Sequence, residues 1–148
     1  MKKIVLGVFM ALLFLGCSSS ATTKDVTQKL VVGNSLENLK LNDQHEKPTT
    51  LPKDTKIMFF SFSKAIGHKC NAFLESKESA FIAKHHVVYV ADVSPAPSII
   101  KNMFILPDLK KLKFPILLIN NDKLSAEFTK GMKKDKIVVV YLNNLKIT

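Results

Sequence analysis

Cys70 is the residue with the most chemical potential in this sequence, because a thiol can act as nucleophile, redox centre or metal ligand. Lys69 adjoins it and His68 stands two residues back. The surrounding stretch, Lys56 to Phe81, reads as an apolar strand (Ile57 to Phe62), a polar loop (Ser63 to Lys69) and a helical segment opening near Cys70. A thiol at a helix amino terminus beside cationic groups has a lowered pKa and is partly thiolate. His68 or Lys64 could then supply positive charge to it. The competing reading makes Cys70 a small buried hydrophobe that shares a helical face with Phe73, Leu74 and Phe81. Asp92, in Asp92-Val93-Ser94-Pro95, follows an apolar run and falls at a strand's carboxyl end, where open α/β sheets bind ligands. Its alternative role is to close the turn.

Other groups are less promising. His85 and His86 have no Cys, Asp or Glu at ligand spacing, and adjacent histidines point to different sides of an extended segment, so no metal site is expected. Neither a Ser-His-Asp arrangement nor a phosphate-binding loop is present, and no cofactor is expected.

Elements that would position these residues follow from patterning. Leu39 and Leu41 alternate with polar neighbours, Asn42 to His45 supply turn chemistry, and Pro48 to Leu51 run back, which predicts a short hairpin. The unbroken apolar character of Ile57 to Phe62 predicts a strand covered on both faces. Ser76 to Ser79 interrupt the helical segment that follows, and Val87 to Asp92 form a second buried strand. Ser98 is a good cap for a helix over Ile99 to Phe104, with a separate turn starting at Pro107-Asp108. Ile116 to Ile119 form a third strand, Leu124 to Phe128 a short helix, and Lys130 to Lys136 a charged loop. Ile137 to Leu142 form a fourth strand, which turns at Asn143-Asn144 toward Leu145 to Thr148. Strands separated by helical crossovers imply an α/β sheet with parallel elements, closed by an antiparallel hairpin.

Composition bounds the partners. The 148 residues suffice for one domain, and 47% hydrophobic with 23% charged residues is a globular balance. The net charge of +10 comes wholly from lysine, since the sequence contains no arginine. Lysine lacks the bidentate fork that reads guanine edges and phosphates, which argues against sequence-specific nucleic-acid binding. The clusters Lys110, Lys111, Lys113 and Lys130, Lys133, Lys134, Lys136 read first as solvated faces, with acidic partners or lipid headgroups as the alternative. With two cysteines in all, no disulfide framework is available.

The first thirty residues read as an address. Met1-Lys2-Lys3 precedes an apolar run, Ile4 to Leu15, that is shorter than the about 20 residues a spanning helix needs and suits a secretory signal. Leu13-Phe14-Leu15-Gly16-Cys17 resembles the lipobox of bacterial lipoproteins, departing from it in Phe14, where leucine is usual. The resemblance implies a signal peptide over 1-16 and a lipidated Cys17 as first mature residue. Residues 17-30, rich in serine and threonine at their start, read as a flexible tether, and 31-148 as the domain. Membrane lipid is then a partner through Cys17. Ser18 resembles the Gram-negative pattern for outer-membrane sorting, which implies a domain in the periplasm.

The element order from Val32 onward resembles the redoxin branch of the thioredoxin superfamily, which contains peroxiredoxins and periplasmic thiol-disulfide proteins. Val32-Gly33-Asn34 with Leu39 to Leu51 resembles that family's opening turn and hairpin, Phe114-Pro115-Ile116-Leu117 its Phe-Pro-Val-Leu strand, and Ile137 to Ile147 its late strand and hairpin. The resemblance implies an α/β thioredoxin-like sandwich: a mixed central sheet, flanking helices, an N-terminal hairpin, and a C-terminus that stops short of the family's closing helix.

The departures concern chemistry. A thioredoxin-type site needs Cys-x-x-Cys after the central strand, and no such pair occurs. A peroxiredoxin-type site needs Pro-x-x-x-Thr-x-x-Cys, and at that spacing stand Ser63, Gly67 and Cys70. The family's arginine is missing, and Asp135-Lys136 replace its cis-proline. Two readings stay open. One is a membrane-anchored envelope lipoprotein whose thioredoxin-like domain works in binding or assembly with an envelope protein, without redox catalysis. The other is a thiol oxidoreductase or peroxidase using Cys70 alone, with His68 in support. The missing groups favour the first, and the balance leans away from an enzyme.

Overall fold

The computed structural model describes residues 25–148. The expected signal sequence, the lipobox-like segment with Cys17 and the start of the expected tether lie outside the described residues.

The hairpin forms first in chain order, from β1 (Lys40–Asp43) and β2 (Pro48–Thr50). Its turn is tied by Asp43, whose Oδ1 accepts the backbone N–H groups of His45 and Lys47 at 2.8 and 2.9 Å. β3 (Ile57–Ser61), β4 (Val87–Asp92) and β5 (Ile116–Ile119) are the three unbroken apolar runs, and they pair in parallel in the order β5-β4-β3. β6 (Val138–Asn143) runs antiparallel to β3, with Phe60 opposite Val138 and Ile57 opposite Tyr141, and β7 (Lys146–Ile147) closes the edge. β1 adds antiparallel to β5, which gives a seven-stranded sheet in the order β2-β1-β5-β4-β3-β6-β7.

Both faces of the central strands are covered, as continuous apolar sequence requires. On one face Met58, Phe60, Val90, Leu117 and Ile119 meet Phe128 of α5 (Asp122–Thr129), with the Phe60 and Phe128 rings 5.4 Å apart. Leu30 belongs to this core, and the Lys29 N–H donates to the Glu127 carbonyl. Residues 25–30 thus run along α5, and Lys130 pairs with Asp25 at 2.9 Å. On the other face Tyr89, Ala91, Ile116 and Leu118 meet α1 (Lys64–Glu75) and α4 (Leu106–Lys110).

Four local expectations are corrected. The stretch Ser63 to Lys69 is not a loop, because α1 opens at Lys64, with the Ser63 hydroxyl accepting from the Ile66 N–H. The polar residues that suggested a loop, Lys64, His68 and Lys69, are the helix's exposed side, whereas Ile66, Cys70 and Leu74 recur every fourth residue on its buried stripe. Ser98 does not cap a helix: Pro97 holds the cap position without a side-chain bond, and Ser98 begins α3 (Ser98–Ile100).

The helical path then continues to Lys110 through Pro107, with a π-turn over Lys101–Ile105 ahead of α4, in place of the separate turn expected there. Proline has no N–H to donate and its ring crowds the carbonyl four residues back, and the wider π-turn relieves that conflict without ending the helix. The last hairpin turns on Asn144-Leu145, one residue later than expected. Both lie in the left-handed region, at φ 48° and 59°, as the tight two-residue turn demands, and Leu145 is buried in the core in exchange for that strain.

Candidate functional site

α1 begins where β3 ends, at the carboxyl edge of the parallel strands. The residues that stand there are Ser63, Lys64, Ala65 and Ile66, and none carries a thiol. Cys70 lies almost two turns further along the helix, fully buried and without a disulfide partner. Of the two readings of Cys70, the one with a lowered pKa is not met: burial pushes the thiol up to about 11, partly offset by a hydrogen bond with Tyr89. Its neighbours are Leu74, Tyr89 and Ala91 rather than Phe60, which packs on the opposite face of the sheet. Phe73 turns outward, where its ring meets Phe59 and Phe81 edge-on and Lys77 sits 4.5 Å above it.

His68 is not brought to Cys70. Two helical residues correspond to a rotation of about 200°, so His68 lies on the exposed side of α1. Asp108 of α4 is held below its ordinary range chiefly by Lys111, through their 2.8 Å bond, with only a minor contribution from the His68 charge.

Patterning did not reveal the buried polar trio around the thiol. The Ser61 hydroxyl lies 2.9 Å from that of Tyr89, which in turn reaches Cys70, and Gly67 covers them from α1. Burial and the neighbouring thiol push the Tyr89 hydroxyl far above its ordinary range. Each member is a poor acid, so the trio holds neutral hydrogen bonds rather than a reactive anion. A signal was available: apart from Asp92 at the end of β4, Ser61 and Tyr89 are the polar residues of the two strands.

Asp92 ends β4 at the same edge and is fully occupied. Its Oδ1 accepts from the Ser94 N–H at 3.0 Å and the Ser94 hydroxyl at 2.7 Å, and its Oδ2 accepts from Ser125 at 2.5 Å. This is the turn-closing role, extended to the first turns of α5. Among the histidines, His86 bonds Asp54 through Nδ1 at 2.7 Å and the His85 ring lies tilted against that of Phe81. Two surface clefts, one between Lys53–Ile57 and Tyr141–Asn144 and the other around Asp54, Ile82, His86 and Pro115, open at the amino ends of β3 and β4. They are on the opposite edge of the sheet from Asp92. No group of three or more His, Cys, Asp or Glu side chains placed to hold a metal occurs among the described residues, and no described helix is long and apolar enough to cross a membrane.

No protein-family model matches the sequence, and no curated protein does. Among solved structures the fold is similar to the solution structure of a "putative protein disulfide isomerase" from Bacteroides thetaiotaomicron, at 13% identity and a TM-score of 0.50, over 83% of this chain and 79% of that one. A peroxiredoxin-like protein from Aquifex aeolicus matches at 12% identity and a TM-score of 0.48, over 82% and 75% of the two chains. The mixed seven-stranded sheet with its flanking helices and the first of these neighbours identify a thioredoxin-like α/β fold.

Proposed function

We propose that this protein is a lipid-anchored cell-envelope lipoprotein whose thioredoxin-like domain binds a protein partner and does not perform thiol chemistry. The observation that carries the reading is the placement of Cys70: the helix start that a redoxin-type site would use holds Ser63 to Ile66, and the thiol is sealed beneath α1 with its pKa raised. A nucleophilic thiol has to be exposed and partly ionised, and Cys70 is neither. The anchor reading rests on sequence, on the apolar run ending in Leu13-Phe14-Leu15-Gly16-Cys17.

The test is site-resolved alkylation of the native chain with peptide mass spectrometry, together with trapping of sulfenic acid after limiting peroxide. Cys70 should stay unmodified near neutral pH until the domain is unfolded. Rapid alkylation with a midpoint below the ordinary thiol range, or trapped sulfenic acid at Cys70, would sink the binding reading and establish a one-cysteine redox enzyme. For the anchor, mass spectrometry of the amino-terminal peptide should show acyl groups on Cys17, and Cys17→Ser should release the protein from membranes. An unmodified Cys17 would remove it.

A further inference from the structure

Four of the nine large apolar side chains exposed among the described residues lie together. Ile99 (69% exposed), Ile100, Met103 (64%) and Phe104 (58%) all lie on the first two turns of the helical path that starts at Ser98. Those turns sit at the carboxyl edge of the parallel strands, where the Lys101 ammonium bonds Asn120 just past β5. No described element covers the four residues. A contiguous apolar patch of this kind marks an interaction surface.

Its surroundings are basic. Lys101 lies within the patch's own turns, whereas Lys110, Lys111 and Lys113 stand at the far end of the helical path, where Lys110 meets Glu46; the loop 130 to 136 carries Lys130, Lys133, Lys134 and Lys136 against Asp135. That loop reaches the same edge, because the Lys134 carbonyl accepts the Ser63 hydroxyl at the start of α1. Lys64 is at this edge too, next to Ser63 at the start of α1.

The chain enters the domain beside the same loop. Asp25 is bound by Lys130, and Lys134 is four residues on, at most about 15 Å away along the backbone. Only Ser18 to Lys24 separate Asp25 from Cys17, so the covalent reach from lipid to domain is at most about 28 Å, roughly the diameter of a small domain.

From these observations we infer that the patch Ile99, Ile100, Met103 and Phe104 docks the domain onto an anionic lipid surface, with the flanking lysines facing the headgroups. Apolar side chains enter the acyl boundary while lysines remain at headgroup level, which is the division of labour of an interfacial helix. Attraction of lysines to anionic lipid is additive over several residues and screened by salt. The inference rests on the anchor reading of Cys17 for the proximity of the membrane, whereas the patch itself is a property of the fold.

The sequence contains no tryptophan, so Phe104→Trp gives a single reporter in the patch, and Tyr141→Trp a control at the opposite edge of the sheet. The full chain, purified from membranes, is reconstituted in vesicles of phosphatidylcholine with phosphatidylglycerol, after mass spectrometry has established the state of Cys17. Emission from the Phe104→Trp reporter is expected to shift to the blue and to be quenched by brominated acyl chains, less so at high salt or in phosphatidylcholine alone, while the Tyr141→Trp reporter stays open to iodide. The same result with unlipidated Cys17 would remove the anchor reading and leave the docking surface standing. A lipidated chain whose Phe104→Trp reporter remains open to iodide would overturn the docking. So would shielding of that reporter without vesicles, by a co-purifying protein or by residues 4 to 15 retained on the chain.

Discussion

The Tyr89 hydroxyl stands 2.9 Å from that of Ser61 across the parallel pair of β3 and β4, in a layer where every other neighbour is apolar. The two groups satisfy one another, and the Cys70 thiol from α1 completes the set. Tyr89→Phe removes the shared partner and leaves a buried serine hydroxyl alone, which costs about 1–3 kcal/mol. Ser61→Ala costs a similar amount for the same reason, since it strands the tyrosine hydroxyl. The double variant is expected to lose less than the sum of the two, because neither hydroxyl is then orphaned. Urea unfolding of the four proteins measures the coupling; strictly additive losses would show that the pair is not a unit.

The buried thiol also sets a pH dependence. Its pKa is raised from 9.0 to about 11 in the folded chain, so between those values the folded state keeps a proton that the unfolded state has lost. Stability from this group is therefore fully present below about pH 9 and declines as pH rises toward 11, by about 2–3 kcal/mol. The informative quantity is the difference between the wild type and Cys70→Ala, which isolates this group. That difference is expected to shrink as pH rises from 8 to about 11. A difference independent of pH would mean that the thiol ionises in the folded chain as readily as in the unfolded one.

Gly67 offers the opposite kind of change. It lies in the interior of α1, where glycine is less favourable than alanine by roughly 0.5–1 kcal/mol. A Cβ added there would meet the Ser61 hydroxyl at 3.7 Å and the Tyr89 hydroxyl at 3.9 Å, both ordinary contacts, and its φ is not in the left-handed region. The helix gain therefore wins over any crowding, and Gly67→Ala is expected to raise stability by about 0.5 kcal/mol or more, read as a higher urea midpoint at unchanged slope. A lower midpoint would mean that the lid over the Ser61–Tyr89–Cys70 trio tolerates no methyl group.

The strands were legible because they are unbroken apolar runs: Ile57 to Ser61, Val87 to Asp92 and Ile116 to Ile119 each appear where patterning places them. The helix that holds Cys70 was misread at its start. Ser63 caps it, but the polar run behind that cap also fits a loop, and only the spacing Ile66, Cys70, Leu74 separates the two. Read as a loop, the run puts the thiol at a helix end and makes it reactive; read as a helix, it puts the thiol in the middle of a buried stripe, the competing reading. Pro107 was misread for a related reason: proline punctuates local sequence, while a π-turn and the burial of Leu106 and Leu109 carry the helix past it. The Ser61–Tyr89 pair is a tertiary meeting of residues 28 positions apart, which no local pattern discloses.

Asp92 separates a structural carboxylate from a ligand-binding one. Three donors occupy it: the Ser94 N–H, the Ser94 hydroxyl and the hydroxyl of Ser125, which is itself buried. If those bonds hold β4's exit to α5, Asp92→Ala leaves the Ser125 hydroxyl without an acceptor and costs about 1–3 kcal/mol. Asp92→Asn keeps one acceptor oxygen and should recover part of the loss, so the order of stability is wild type, Asn, Ala. A carboxylate held ready for a ligand behaves in the reverse way, since removing its charge relieves strain that binding alone would compensate. Urea midpoints that rise in Asp92→Asn or Asp92→Ala would therefore turn the assignment around and make the carboxyl edge beside Ser94 and Ser125 a binding site.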